Sequence, residues 1–142
     1  MPPSKEKAMR YLIMLYGPRE GLDALSRGDF GDWTNEDVTA MMEHMGAIND
    51  ELADRGELVD AAGLTGPSQA KAIRLSDGTP TVTDGPYLET KEVMAGYWVV
   101  DTETPERALE IAKRASLSPN PDGVDPGGVE VWPLQEEGPA PE

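Results

Sequence analysis

The chain has 142 residues, 38% of them hydrophobic and 27% charged, with a formal net charge of -15. That length suits one domain around one core, and the composition is that of a globular protein rather than a disordered one. The acidic balance argues against nucleic acid or a membrane surface as partner, because both select basic patches; no cysteine and a single histidine exclude disulfides, thiolate chemistry and multi-histidine zinc sites.

Residues 1–8 read as a disordered leader, since Pro2, Pro3 and the charged residues after them have nothing to bury. The apolar run that follows is too short for a signal-peptide core or a membrane span, so a cytoplasmic location is expected. Arg10 to Tyr16 reads as a buried strand that Gly17-Pro18 stops. The polar, glycine-bearing stretch from Arg19 to Asp32 reads as a connection.

The first helix is signposted by Thr34 as N-cap, with Asp37 three residues on. Val38, Met41, Met42, Met45, Ile48 and Leu52 then recur at three- and four-residue steps and form one apolar stripe. The Met cluster reads as core packing. Gly56 closes the helix. Leu58 to Ala62 is a short strand, and Ala70 to Leu75 alternates like a half-exposed one. Asp77-Gly78 is a hairpin turn, from which Thr79 to Thr83 returns with Pro80 confining it to an edge. Val93 to Val100 is rich in β-branched and aromatic residues and reads as a central strand. Thr104 caps a second helix with Pro105 at its first position. A Pro/Gly-rich connector runs from Ser116 to Gly128, Val129 to Leu134 is the closing strand, and residues 135–142 read as a flexible acidic tail.

This order gives an α+β domain over residues 9–134, a ferredoxin-like split βαβ with an inserted hairpin. Helices on one face of its sheet leave the other face bare. A second copy related by twofold symmetry would cover it, so a homodimer is expected.

The densest polar cluster surrounds a turn: Thr83-Asp84-Gly85-Pro86-Tyr87, then Glu89-Thr90-Lys91-Glu92 and Gly96-Tyr97. With Arg10-Tyr11, Tyr16-Gly17, His44-Met45, Asn49, Glu51-Leu52, Gly56 to Leu64 and Val129-Glu130-Val131, it resembles the YCII-related family. The closest resemblance is to the DGPF-domain branch, named for Asp-Gly-Pro-Phe. Tyr87 stands here where that branch has Phe. Trp132 replaces a usual basic residue, and the 116–128 connector is longer and richer in proline. The resemblance implies a dimeric α+β barrel enclosing a cavity. It also implies a small aromatic or oxo-acid metabolite as ligand, isomerase- or lyase-like proton transfer without metal or organic cofactor, or a regulatory association with sigma factors.

Histidine is the residue type that titrates near neutrality when unperturbed, and His44 matches the family histidine read as a general acid/base. The aspartate that partners it in the wider family is not carried over, because Ser116-Leu117-Ser118 stands there. Asp84 reads either as an orienting or proton-accepting carboxylate or as a turn former ahead of Gly85-Pro86. Lys91 and Glu89 read as substrate-positioning charges or as a solvated run. Tyr16, Tyr87 and Tyr97 are candidate cavity rings, with Tyr97 and Trp98 on opposite sheet faces. Asn49 falls on the apolar stripe and needs a hydrogen-bond partner, across a dimer or from the Asp84 loop. Gly85 and Gly127-Gly128 lack the spacing of a phosphate loop.

Overall fold

A computed structural model describes residues 9–87 and 91–135. The expected leader (1–8), residues 136–142 of the expected tail, and Glu89 and Thr90 of the polar cluster lie outside the described residues. The elements run β1 (Met9–Pro18), α1 (Arg19–Ser26), α2 (Asn35–Asp54), β2 (Leu58–Gly63), β3 (Lys71–Ser76), β4 (Thr79–Asp84), β5 (Glu92–Thr102), α3 (Pro105–Ser116) and β6 (Val129–Pro133). The main sheet has the order β2-β5-β1-β6 with every neighbouring pair antiparallel, which is the ferredoxin-like arrangement. β3 and β4 pair only with each other, as a separate hairpin. Asp77 (φ 51°) and Gly78 (φ 80°) both turn left-handed at its tip, the demand of a two-residue hairpin turn.

Local signals explain the two long helices. Thr34 accepts from the Asp37 N–H at 3.1 Å while Asp37 accepts from the Thr34 N–H at 2.9 Å, a complete capping box. Thr104 accepts from the Arg107 N–H at 3.1 Å and Pro105 follows it, so α3 starts where its sequence dictates. Ile48 and Leu52 from α2, and Ala108, Ile111, Ala112 and Ala115 from α3, pack on Tyr11, Ile13, Trp98 and Val100 of the sheet. Each fully buried Ile or Leu here contributes about 1.5–3 kcal/mol through the surface it removes from water. The small alanines of α3 let that helix approach the sheet closely.

Two expectations are corrected. The stretch expected to be a connection contains α1, whose apolar side rests on the sheet through Leu22, close beside Gly17. The methionines do not act together: Met42 is 64% exposed, whereas Met41 and Met45 face a cavity.

The other sheet face carries Leu12, Met14, Tyr97, Val99 and Trp132, which are cross-strand neighbours in register: Leu12 opposes both Val99 and Trp132, and Met14 opposes Tyr97. Trp132 is 56% exposed. Far from this face, Arg107 lies buried between the end of α2 and α3. Its guanidinium donates to both carboxylate oxygens of Glu57 and to one oxygen each of Glu51 and Glu110.

Candidate functional site

Between the helices and the sheet lies a cavity of about 760 Å³. That volume is within the usual range of small-molecule sites, roughly 300–1,000 Å³. One wall comes from α1 and the loop after it, with Leu22, Leu25, Phe30 and Trp33. A second wall is the inner side of α2, with Met41, Met45 and Asn49. Trp98 and Gly96 of β5 form part of the sheet side, and the connector from Ser118 to Val129 closes the cavity.

The connector is held in place by backbone chemistry that its Pro/Gly content permits. The Tyr16 N–H donates to the Gly128 carbonyl at 2.8 Å. Asp125 accepts from the Gly127 N–H at 2.9 Å, and Gly127 itself sits at φ 73°. A Cβ on Gly127 would run into the Tyr16 carbonyl, so glycine is required at this crossing. Asn120 donates to the Val124 carbonyl and pins the connector to itself.

Asn49 sits on the cavity wall, and its side-chain oxygen is met by the sheet beneath it rather than by the Asp84 loop. Its Oδ1 accepts from the Trp98 indole N–H, which ties α2 to β5 and orients the ring. The amide NH2 of Asn49 is then its remaining donor group. The Ser118 hydroxyl is buried without a hydrogen-bond partner among the described residues.

The residues singled out from sequence are dispersed. His44 presents Nε2 to the Arg114 carbonyl at 2.6 Å. A carbonyl can only accept, so Nε2 carries the proton and the ring adds a second donor to a carbonyl in the last turn of α3 that also accepts the Leu117 N–H at 3.1 Å. His44 is not among the cavity-lining residues. Asp84 ends β4 and pairs with Lys71, its cross-strand neighbour, whose ammonium holds the carboxyl below the usual carboxylate range. Tyr87 lies under Arg74, whose guanidinium carbon is 3.8 Å from the ring centroid, and its hydroxyl reaches the Ile73 carbonyl. Lys91 uses its carbonyl to accept the Arg19 N–H at 2.9 Å. His44, Asp84, Tyr87 and Lys91 therefore each bond to a different neighbour, and none of them lines the cavity. Glu89 lies outside the described residues.

Tyr16 and Tyr97 do contribute to the cavity wall, but their hydroxyls lie on the open sheet face. Tyr97 donates to Asp60 at 3.2 Å, and that carboxylate raises the phenol's pKa. Tyr16 donates to Glu130 at 3.0 Å; burial first, and then Glu130, raises its pKa. Both phenols are thereby kept protonated, as donors rather than bases.

The turn at Gly85-Pro86-Tyr87 has a local partner. Arg19 donates to the carbonyls of Tyr87 at 2.9 Å and Pro86 at 3.4 Å. Gly85 is at φ 77°, and a Cβ there would meet an Arg19 nitrogen at 3.0 Å. The turn is thus wound around the first residue of α1, the element that forms one cavity wall. Sequence reasoning missed Arg19 because its two acceptors are backbone carbonyls far along the chain. Among the described residues, no group of three or more His, Asp or Glu is placed to hold a metal ion. No helix among them is long and apolar enough to cross a membrane.

Comparison with known proteins bears on the family of the chain. The family model of the YCII-related domain matches residues 9–124. The uncharacterized protein R00369 of Rhizobium meliloti (strain 1021) is 32% identical over 126 residues, covering 89% of this chain and 92% of its own length.

Proposed function

Because the chain belongs to the YCII-related family, we propose that it is a small-molecule-binding protein that works as a homodimer. The observation that carries this reading is the cavity of about 760 Å³ between α2 and the sheet, with rings and thioethers on its walls. The ligand is a small, largely apolar or aromatic metabolite. The second copy covers the open sheet face, where Leu12, Met14, Val99 and Trp132 present an apolar surface to water.

Of the two roles that the resemblance implies, ligand-dependent regulation, with a sigma factor or another partner, fits these contacts better than proton transfer. His44 commits Nε2 to the Arg114 carbonyl and is absent from the cavity walls. An acid–base role would need that bond broken and the ring turned.

Native mass spectrometry of the purified protein tests both parts of the reading at once. The expected species has twice the 15.3 kDa chain mass and retains a small-molecule adduct. Met41→Trp, which fills the cavity from α2, should remove the adduct and leave the dimer intact. A monomer would refute the pairing, and an adduct that survives Met41→Trp would place the ligand elsewhere.

A further inference from the structure

The charge of the cavity is as informative as its shape. Among its described lining residues there is no lysine, arginine or histidine. Its ionised side chains are Asp29 and Asp32, from the loop after α1, and Asp125, from the connector. All of these aspartates are exposed, so they stand where the cavity meets solvent. Phe30, 43% exposed, stands near the mouth with them, and the half-buried Trp33 and the buried Trp98 supply aromatic rings further in.

We infer that the ligand is an organic cation, an aromatic or otherwise apolar body carrying an ammonium group, with the apolar part inside and the charge at the acidic mouth. The inference rests on the binding reading above and names its chemical class. An oxo-acid or phenolate would have to bring a negative charge past like charges and would find no cationic side chain to meet it, which costs affinity at both steps. An ammonium gains at each stage. A net charge of -15 raises its local concentration at the surface. The carboxylates at the mouth pair with it, and the faces of the aromatic rings attract it within about 6 Å.

The acidic groups come from two separate loops, and two of them already have local work: Asp29 accepts from the Gly31 N–H at 3.0 Å, and Asp125 from the Gly127 N–H at 2.9 Å. Each of those bonds uses one oxygen and leaves the other carboxylate oxygen available. Replacing the aspartates by asparagine keeps the turn-forming acceptor while removing the charge, so the variant tests the charge and not the loop.

The test compares 2-phenylethylamine with phenylacetate, a pair alike in ring and chain length but opposite in charge. Isothermal titration calorimetry on the full-length protein supplies the affinities. The amine should bind at least about tenfold more tightly than the acid, with an affinity that falls as salt rises. The combined Asp29→Asn, Asp32→Asn and Asp125→Asn variant, checked by circular dichroism for unchanged folding, should lose most of that preference. A second variant, Asp32→Asn alone, touches neither of the two turn bonds and should show part of the same loss. Equal affinities, or tighter binding of phenylacetate, would overturn the cation assignment and leave the ligand-binding reading standing. Binding of neither compound would count against both.

Discussion

Replacing Arg107 by methionine should destabilise the fold by about 3 kcal/mol, the range expected when one partner of a buried ion pair is removed. Methionine replaces much of the aliphatic stem, so the loss comes mainly from the charge. The guanidinium is 9% exposed and bonds Glu57 through Nε and one NH2 group, at 2.9 to 3.2 Å. Glu57 is only 8% exposed. Without Arg107 its carboxylate would be left with the more exposed Arg55, at 3.3 Å, as an ion-pair partner. Glu110 and Glu51 are more solvated and contribute less. The double variant Arg107→Met with Glu57→Leu should recover most of the loss, because it removes the stranded charge together with its partner. Urea denaturation with a two-state fit reads both values. A double variant no more stable than the single one would show that shape, not charge, sets the cost.

The same cluster sets the sign of the acid response. The Arg107 guanidinium, and then that of Arg114, hold the Glu51 carboxyl below its ordinary value of 4.5. A carboxyl whose folded pKa is lowered contributes stability that is present above 4.5 and is lost as pH falls through the folded value. Asp84, lowered by Lys71, acts in the same direction from 3.8 downward. Wild-type protein should therefore lose stability below pH 4.5 more steeply than Arg107→Met, in which the largest cause of the Glu51 shift is gone.

Gly127→Ala should cost about 3 kcal/mol or more, and should weaken ligand binding as well. Two effects add. The residue sits at φ 73°, where an L side chain costs about 1–2 kcal/mol. Its Cβ would also overlap the Tyr16 carbonyl, a backbone atom of β1 in its pairing with β5. Overpacking of that kind costs roughly 1–3 kcal/mol more. Relief requires the connector to lift from β1 and break the bond from the Tyr16 N–H to the Gly128 carbonyl, which opens the cavity wall. Gly123→Ala is the matched control. It has a similar φ of 81° with open space around it, so only the backbone cost of about 1–2 kcal/mol applies. Thermal melts of the two variants side by side would separate clash from conformation. Equal losses would mean that the crossing at Tyr16 is not tight.

The elements that could be read from sequence are those written in adjacent residues. Thr34 with Asp37, Thr104 with Pro105, and Asp77-Gly78 each fix a boundary through bonds spanning a few positions, and each boundary stands where expected. Trp98 and Tyr97 alternate across the sheet because a strand leaves no other choice. α1 was hidden by Gly21 and by a polar composition, since its apolar side is defined only once Gly17 and the sheet lie beneath Leu22. Arg107 gave no local sign, as its buried partner Glu57 is fifty residues away in sequence. The cavity was equally illegible. Part of its wall is Pro119, Pro126, Gly127 and Gly128 of the connector, a stretch that shows neither a helical nor a strand period. The residues that stood out by chemistry, His44, Asp84 and Lys91, do stand in bonded positions, but those bonds hold a helix end, a hairpin and a loop.

Methionine-methyl NMR reaches the central claim most directly, because Met41 and Met45 line the cavity whereas Met9 and Met42 are exposed and do not. Titration with 2-phenylethylamine, phenylacetate and benzyl alcohol in turn samples a cation, an anion and a neutral ring. A ligand-binding cavity between α2 and the sheet requires that at least one of them move the Met41 and Met45 signals together, in a saturable way, while Met42 stays fixed. Shifts confined to Met42 or Met9, or no saturable shift with any of the three, would contradict it.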